Sequence, residues 1–172
     1  MGAFAPDEEF EAAYRELFPR AATLAWRLLG NRTAAEDVAA EALARTYAHW
    51  HKVRNLPHRD GWVLRVATNL AIDTARKRPV VVERPSIEPL DAAEAATLRL
   101  ALLGALRTLP KQQRHAIALR YLTGLPEGEV ADVLGVSAGT ASTHLRRGLD
   151  ALRRRLGKDF REDVFIGELQ QT

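Results

Sequence analysis

Four side chains near the end of the chain, Thr140, Thr143, Arg146 and Arg147, have the types and spacing to read duplex DNA. At 100° per residue they share one helical face with Gly139 and Asp150. Hydroxyls and guanidinium forks bond base edges and phosphates in a major groove. A second stripe, Trp62, Arg65, Asn69, Asp73 and Arg76, falls within about 80° on a 3.6-residue helix. That set suits an unpaired strand: an aromatic stacks on a base, an amide bonds a base edge and Arg pairs with phosphate. Trp62 taken alone reads better as a cap on the core, and Asp73 also has Arg76 and Lys77 as ion-pair partners. A third set, Glu36, Asp37 and Glu41, resembles an acid/base or metal cluster. It has no His at ligand spacing, and acids in a first helical turn are favoured by the helix dipole alone. A protein-contact or solvated face is the better reading. His49 and His51 lie two apart, on different faces of a helix, so no metal site is expected there. There is no Gly-rich phosphate loop and no nucleophile elbow. Neither catalysis nor a cofactor is expected.

The element that must carry the first stripe runs from Gly124 to Leu156. Val130, Ala131, Val133 and Leu134 give one short helix an apolar side, and Gly135 breaks it. Ser137 is the expected N-cap of the next helix. There Ala141, Leu145, Leu149, Leu152 and Leu156 form one apolar stripe. Two helices that cross closely at small residues make a helix-turn-helix, which offers the start of its second helix to a major groove. An ordinary helical hairpin with a basic outer face is the competing reading. Arg153, Arg154 and Arg155 extend the cluster, although cations there also suit a helix C-terminus.

The rest of the chain reads as helix. Of 172 residues 47% are apolar and only 6% aromatic, with Ala, Leu and Arg dominant, which favours an all-α fold. There are 21 Arg and 4 Lys against 22 acids, a net charge of +3, so any polyanion contact must come from local clustering. The absence of Cys excludes disulfides and suits a reducing compartment. No apolar run is long enough for a bilayer span or a leader, so a cytoplasmic protein is expected.

Phe10, Tyr14, Leu17, Ala21, Leu24 and Leu28 form a first amphipathic helix that ends at Gly30-Asn31. Thr33 to Glu36 matches a capping box, which places a second helix start at Thr33, with Val38, Ala42 or Leu43, Tyr47 and Trp50 inward. His51 to His58 reads as a loop. A third helix spans about 59 to 78, with Val63, Val66, Ala67 and Leu70 as its core face. Pro79, Pro85 and Pro89 then mark an extended linker, which fully stretched would reach roughly 50 Å. A helix over about 92–108 and another over 111–122 lead into the helix-turn-helix. Phe160, Val164, Phe165, Ile166 and Leu169 make the tail more apolar than a free tail requires, so it is a candidate regulatory segment covering a domain face. The organisation is two small helical domains joined by an extended linker: 1–78, linker 79–95, 96–156 with the helix-turn-helix, and a tail 157–172.

The order of motifs carries a resemblance. AAEDVAAEALARTY (34–47), GWVLRVATNLAID (61–73) with Arg76, a Pro-rich gap, LRTLPKQQRHAIALRYLTGL (106–125) and EVADVLGVSAGTASTHLRRGLDALRRRL (129–156) together resemble bacterial sigma factors of the extracytoplasmic-function (ECF) group of the sigma-70 family. The resemblance covers about residues 10 to 156. It implies that region 2, the first domain, binds core RNA polymerase and melted minus-10 promoter DNA, and that region 4, the second, binds the minus-35 duplex and the polymerase flap. By position, Asp37, Glu41 and Leu43 fall in the polymerase-binding helix. Arg65, Asn69, Asp73 and Arg76 fall where the family reads the minus-10 strand, and the loop from His51 to Arg59 where it holds a flipped-out base. Thr140, Thr143, Arg146 and Arg147 match the minus-35 recognition helix.

The linker sits where the family threads it through polymerase. Members are usually held inactive by an anti-sigma factor, which is therefore a further candidate partner beside polymerase and promoter DNA. The family often carries Val, Lys and Arg where this chain has Ala141, Ser142 and His144. Two usual cations are thus missing from the recognition helix, which points to a minus-35 end that leans on polymerase contacts. The alternative is a helix-turn-helix regulator that never joins polymerase, which would have no reason to carry AAEDV and GWVLRVATN.

Overall fold

A computed structural model describes residues 8–77 and 89–157, apart from the side chains of residues 89–95. All regular structure among the described residues is helical. Helix α1 (Glu8–Leu29) buries Ala13, Leu17, Ala21, Leu24, Ala25 and Leu28 at helical spacing. Each fully buried Leu contributes roughly 2 kcal/mol of apolar burial. Pro19 lies inside α1 on its exposed side. Proline has no N–H for the Arg15 carbonyl, but both residues lie on the exposed side of the helix, where water can replace that donor.

Helix α2 (Arg32–Ala48) begins one residue before Thr33. Its N-cap is Asn31, whose Oδ1 accepts from the Ala34 N–H at 2.8 Å. The capping box expected at Thr33 is therefore not formed, and Glu36 instead accepts from the Arg32 Nε at 2.9 Å. Capping from Asn31, two residues before Thr33, puts Thr33 inside the first turn, where its hydroxyl is no longer at the N-cap. Ala42 and Leu43 are both buried, whereas Tyr47 is 40% exposed and lies against the Phe10 ring, 4.7 Å between centroids. The expected loop opens with one helical turn, α3 (Trp50–Val53), that buries both of its end residues.

Helix α4 (Arg59–Lys77) packs on α1 and α2 and closes the first core. Its buried arc is Val63, Leu64, Ala67, Thr68, Ala71 and Ile72. Val66 and Leu70, expected inward, are only half-buried. The helix is rotated from its expected setting because a second partner covers another side.

Helix α5 (Pro89–Thr108) starts three residues earlier than expected, with proline at its first position, where the missing N–H has no intrahelical partner anyway. Helix α6 (Lys111–Ile117) runs into a π-helical turn, Ala118–Leu122. The wider turn is closed by the Leu125 N–H donating to the Leu119 carbonyl at 3.1 Å and by the Thr123 hydroxyl on the same oxygen at 2.6 Å. Helix α7 (Glu127–Leu134) stops at Gly135, whose φ of 67° is left-handed and strained for any other residue. Ser137 caps α8 (Ala138–Leu156), its side chain accepting from the Thr140 N–H at 3.2 Å. Helices α5, α6 and α7 all pack on α8. Gly148 lets α6 approach, since a Cβ there would lie 2.8 Å from Ile117.

Of the expected linker over residues 79–95, residues 79–88 lie outside the described residues and 89–95 belong to α5; the apolar tail after Gly157 also lies outside the described residues.

Candidate nucleic-acid interface

Helix α8 divides cleanly into two sides. Ala141, Leu145, Gly148 and Leu152 are buried. Thr140, Arg146 and Arg147 are exposed and Thr143 is half-exposed. The Thr143 hydroxyl donates to the Gly139 carbonyl at 2.9 Å, and the Thr140 hydroxyl pairs with Ser137 Oγ at 2.9 Å. Both hydroxyls keep acceptor capacity toward solvent. Arg153 pairs with Asp150 at 3.3 Å, one turn beyond. The start of α8 thus presents two hydroxyls and two guanidinium groups on a rigid, capped element.

The stripe on α4 has a different setting. Asp73 and Arg76 are exposed and pair with each other at 3.5 Å. Trp62 is half-buried against the core, its ring 6.2 Å from that of His49. Arg65 and Asn69 face the second half of the molecule. The Arg65 guanidinium donates to the Val133 carbonyl at 3.1 Å, and burial lowers its pKa from the ordinary value. The Asn69 Oδ1 lies 2.9 Å from His115 Nε2. His115 sits on α6 and is 1% exposed. Desolvation, then the charges of Arg65, Arg114 and Lys111, pushes its pKa down to about 4. It is therefore neutral at pH 7, with the proton on Nε2 donating to Asn69 and Nδ1 buried without a partner. Nothing in the sequence pattern singled out His115. Its one visible signal is its place three and four residues before Ala118 and Leu119 on a buried helical face.

On α2, Asp37 and Glu41 are both exposed, and Glu41 accepts from the Arg45 Nε at 2.7 Å. Leu43 is fully buried. It anchors the helix in the core and offers no surface of its own. Among the described residues no group of His, Cys, Asp and Glu could hold a metal ion, and no helix is long and apolar enough to cross a membrane.

Two family models match the chain: Sigma-70 region 2 over residues 13–79 and Sigma-70, region 4 over residues 99–152. The ECF RNA polymerase sigma factor SigW of Bacillus subtilis is 30% identical over 151 residues, spanning 77% of this chain and 81% of its own length. RNA polymerase sigma-E factor of Streptomyces coelicolor is 32% identical over 160 residues, 91% of this chain and 89% of its own. Among solved structures, the sigma factor RpoE in complex with the anti-sigma factor NepR from Bartonella quintana superposes with a TM-score of 0.55 at 21% identity, covering 89% of this chain and 99% of that one. CnrH, in complex with the cytosolic domain of CnrY, gives a TM-score of 0.56 at 21% identity over 91% and 92% of the two chains. With both regions matched in order and relatives aligned along most of their lengths, the chain belongs to the sigma-70 family as an ECF RNA polymerase sigma factor, a non-enzymatic initiation factor.

Proposed function

We propose that this sigma factor bridges core polymerase and promoter through three surfaces. The exposed acids Asp37 and Glu41 on α2 face polymerase, with Leu43 setting the helix beneath them. The α4 stripe of Arg65, Asn69, Asp73 and Arg76 receives the melted minus-10 strand: the amide bonds a base edge and the guanidinium groups meet the backbone. Holding unstacked bases in this way offsets part of the cost of melting. The α8 face of Thr140, Thr143, Arg146 and Arg147 enters the minus-35 major groove. Residues 1–78 and 96–156 act as the two DNA-binding domains, with 79–95 between them. The protein works in the cytoplasm, without a cofactor, and an anti-sigma factor is a candidate partner; the similar RpoE of Bartonella quintana is bound to the anti-sigma factor NepR.

The observation that carries this reading is the start of α8, with Thr140, Arg146 and Arg147 exposed on a helix whose opposite side is buried. A regulator that never joins polymerase would use the same face, but it leaves the region 2 match unexplained. Genome-wide run-off transcription with purified core polymerase tests the proposal. Defined start sites that appear only when this protein is added are expected, and a set of transcripts identical with and without it would refute the reading.

A further inference from the structure

Arg27, on α1, is a half-buried cation with no carboxylate partner among the described residues. One guanidinium nitrogen donates to the Leu122 carbonyl at the end of the π-helical turn. The Nε is buried and has no hydrogen-bond partner. Desolvation lowers the pKa of the group from its ordinary value. A charge drawn out of water is normally paired, because a single carbonyl dipole replaces only part of the lost hydration.

Arg27 borders a cleft of about 260 Å³ between α1 and the π turn. Pro19, Arg20, Thr23 and Arg27 line one side, and Leu122 and Thr123 the other. Arg20, Thr23 and Arg27 stand at i, i+3 and i+7, so they share one face of α1. Arg20 pairs with Asp60, and the same carboxylate lies 3.9 Å from Arg59. Two guanidinium groups thus draw on one acid, and Arg27 on none. The Thr23 hydroxyl is exposed and has no partner among the described residues. The Thr123 hydroxyl already donates to the Leu119 carbonyl, so Thr123 supplies wall and no donor.

We propose that this cleft binds the phosphate group of a small molecule, held by Arg27, Arg20 and the Thr23 hydroxyl. Phosphate fits better than carboxylate. It brings about two negative charges and three acceptor oxygens, enough for both guanidinium forks and a hydroxyl at once. Pro19 and Leu122 offer apolar surface to the organic part of the ligand. The cleft lies below the roughly 300 Å³ at which pockets for drug-sized molecules begin, which selects a small ligand. None of these residues belongs to the polymerase-facing acids, the α4 stripe or the α8 face. A nucleic-acid backbone carries the same oxygens, so the two sources are separated by experiment.

Isothermal titration calorimetry of the full chain with inorganic pyrophosphate, at an ionic strength fixed with chloride, is expected to show saturable one-to-one binding. Thr23→Glu sets a carboxylate between the two guanidinium groups, three residues after Arg20 and four before Arg27. It should weaken pyrophosphate binding at least tenfold, and so should Arg27→Gln. Arg154→Gln, which removes an exposed cation from α8, should leave it unchanged. Should Arg27→Gln fail to fold, Thr23→Glu decides alone from its exposed position. A short thymidine oligonucleotide is titrated in parallel. Oligonucleotide binding unchanged in Thr23→Glu supports the small-molecule site. A matching loss of oligonucleotide binding assigns the cleft to a nucleic-acid backbone and overturns it. No saturable pyrophosphate binding, or binding equal in the wild type and Thr23→Glu, overturns the site altogether.

Discussion

His115 is the side chain whose chemistry the fold alters most. A histidine has an ordinary pKa of 6.5, but burial beside Arg65, Arg114 and Lys111 lowers this one to about 4. Its neutral form is therefore the one the folded chain favours. The stability it contributes is complete above pH 6.5 and is lost as the pH falls toward 4. Relative to His115→Gln, the wild type is expected to lose stability over that interval, by up to about 1.4 kcal/mol per pH unit at the steepest point. Thermal unfolding of both proteins across the range checks this, and parallel pH profiles would mean that folding does not lower the His115 pKa. Arg147 belongs to the same scale. Arg147→Ala should weaken minus-35 duplex binding by about 1 kcal/mol or more and lower the salt slope by about 1. Gel-shift titrations at several salt concentrations read both quantities, and an unchanged affinity at moderate salt removes Arg147 from the site.

At the scale of elements, the helix ends separate two ways of reading a cap. Around α2, Thr33 and Glu36 have capping-box spacing, yet Asn31 makes the bond. Asn31→Ala should accordingly cost about 1 kcal/mol of stability, and Thr33→Ala no more than about 0.5 kcal/mol. Urea unfolding distinguishes them, and a larger loss at Thr33 would mean that the box forms in solution. At α8 the same reasoning agreed with the structure, because Ser137 follows a glycine that has already ended the preceding helix. No competing polar side chain stands next to it there. The stretch 111–122 reads as one regular helix, but it widens into a π turn at Ala118. That turn ends at Leu122, whose carbonyl Arg27 reaches from the other half.

For the whole molecule the question is which surfaces remain available to partners. Asp37 and Glu41 lie on α2, away from the contact of α4 with α6 and α7. Charge reversal at Asp37 should therefore abolish association with core polymerase and leave the fold intact. Gel filtration with core polymerase, alongside circular dichroism of Asp37→Arg, tests this; survival of the complex would mean that the contact face lies elsewhere. The α8 face is exposed, whereas Arg65 and Asn69 of the α4 stripe are half-buried.

The sequence by itself determined the all-α class, the positions of most helices, the helix-turn-helix with its glycine break and serine cap, and the two sides of α8. These follow from 3.6-residue periodicity and local capping chemistry, which depend on residues a few positions apart. The third helix shows where that reasoning stops. Periodicity places Val66 and Leu70 with the core, yet they are half-buried, because α4 packs on α1 and α2 and also on α5, the π turn and α7 from far along the chain. Leu43 shows the same limit from the other direction, since position in a motif does not reveal whether a side chain faces a partner or the core. Only the tertiary structure brought Gly61 to Val133 and Asn69 to His115, residues 72 and 46 positions apart. Such contacts carry no local signature, because they depend on how helices far apart in the chain settle against each other.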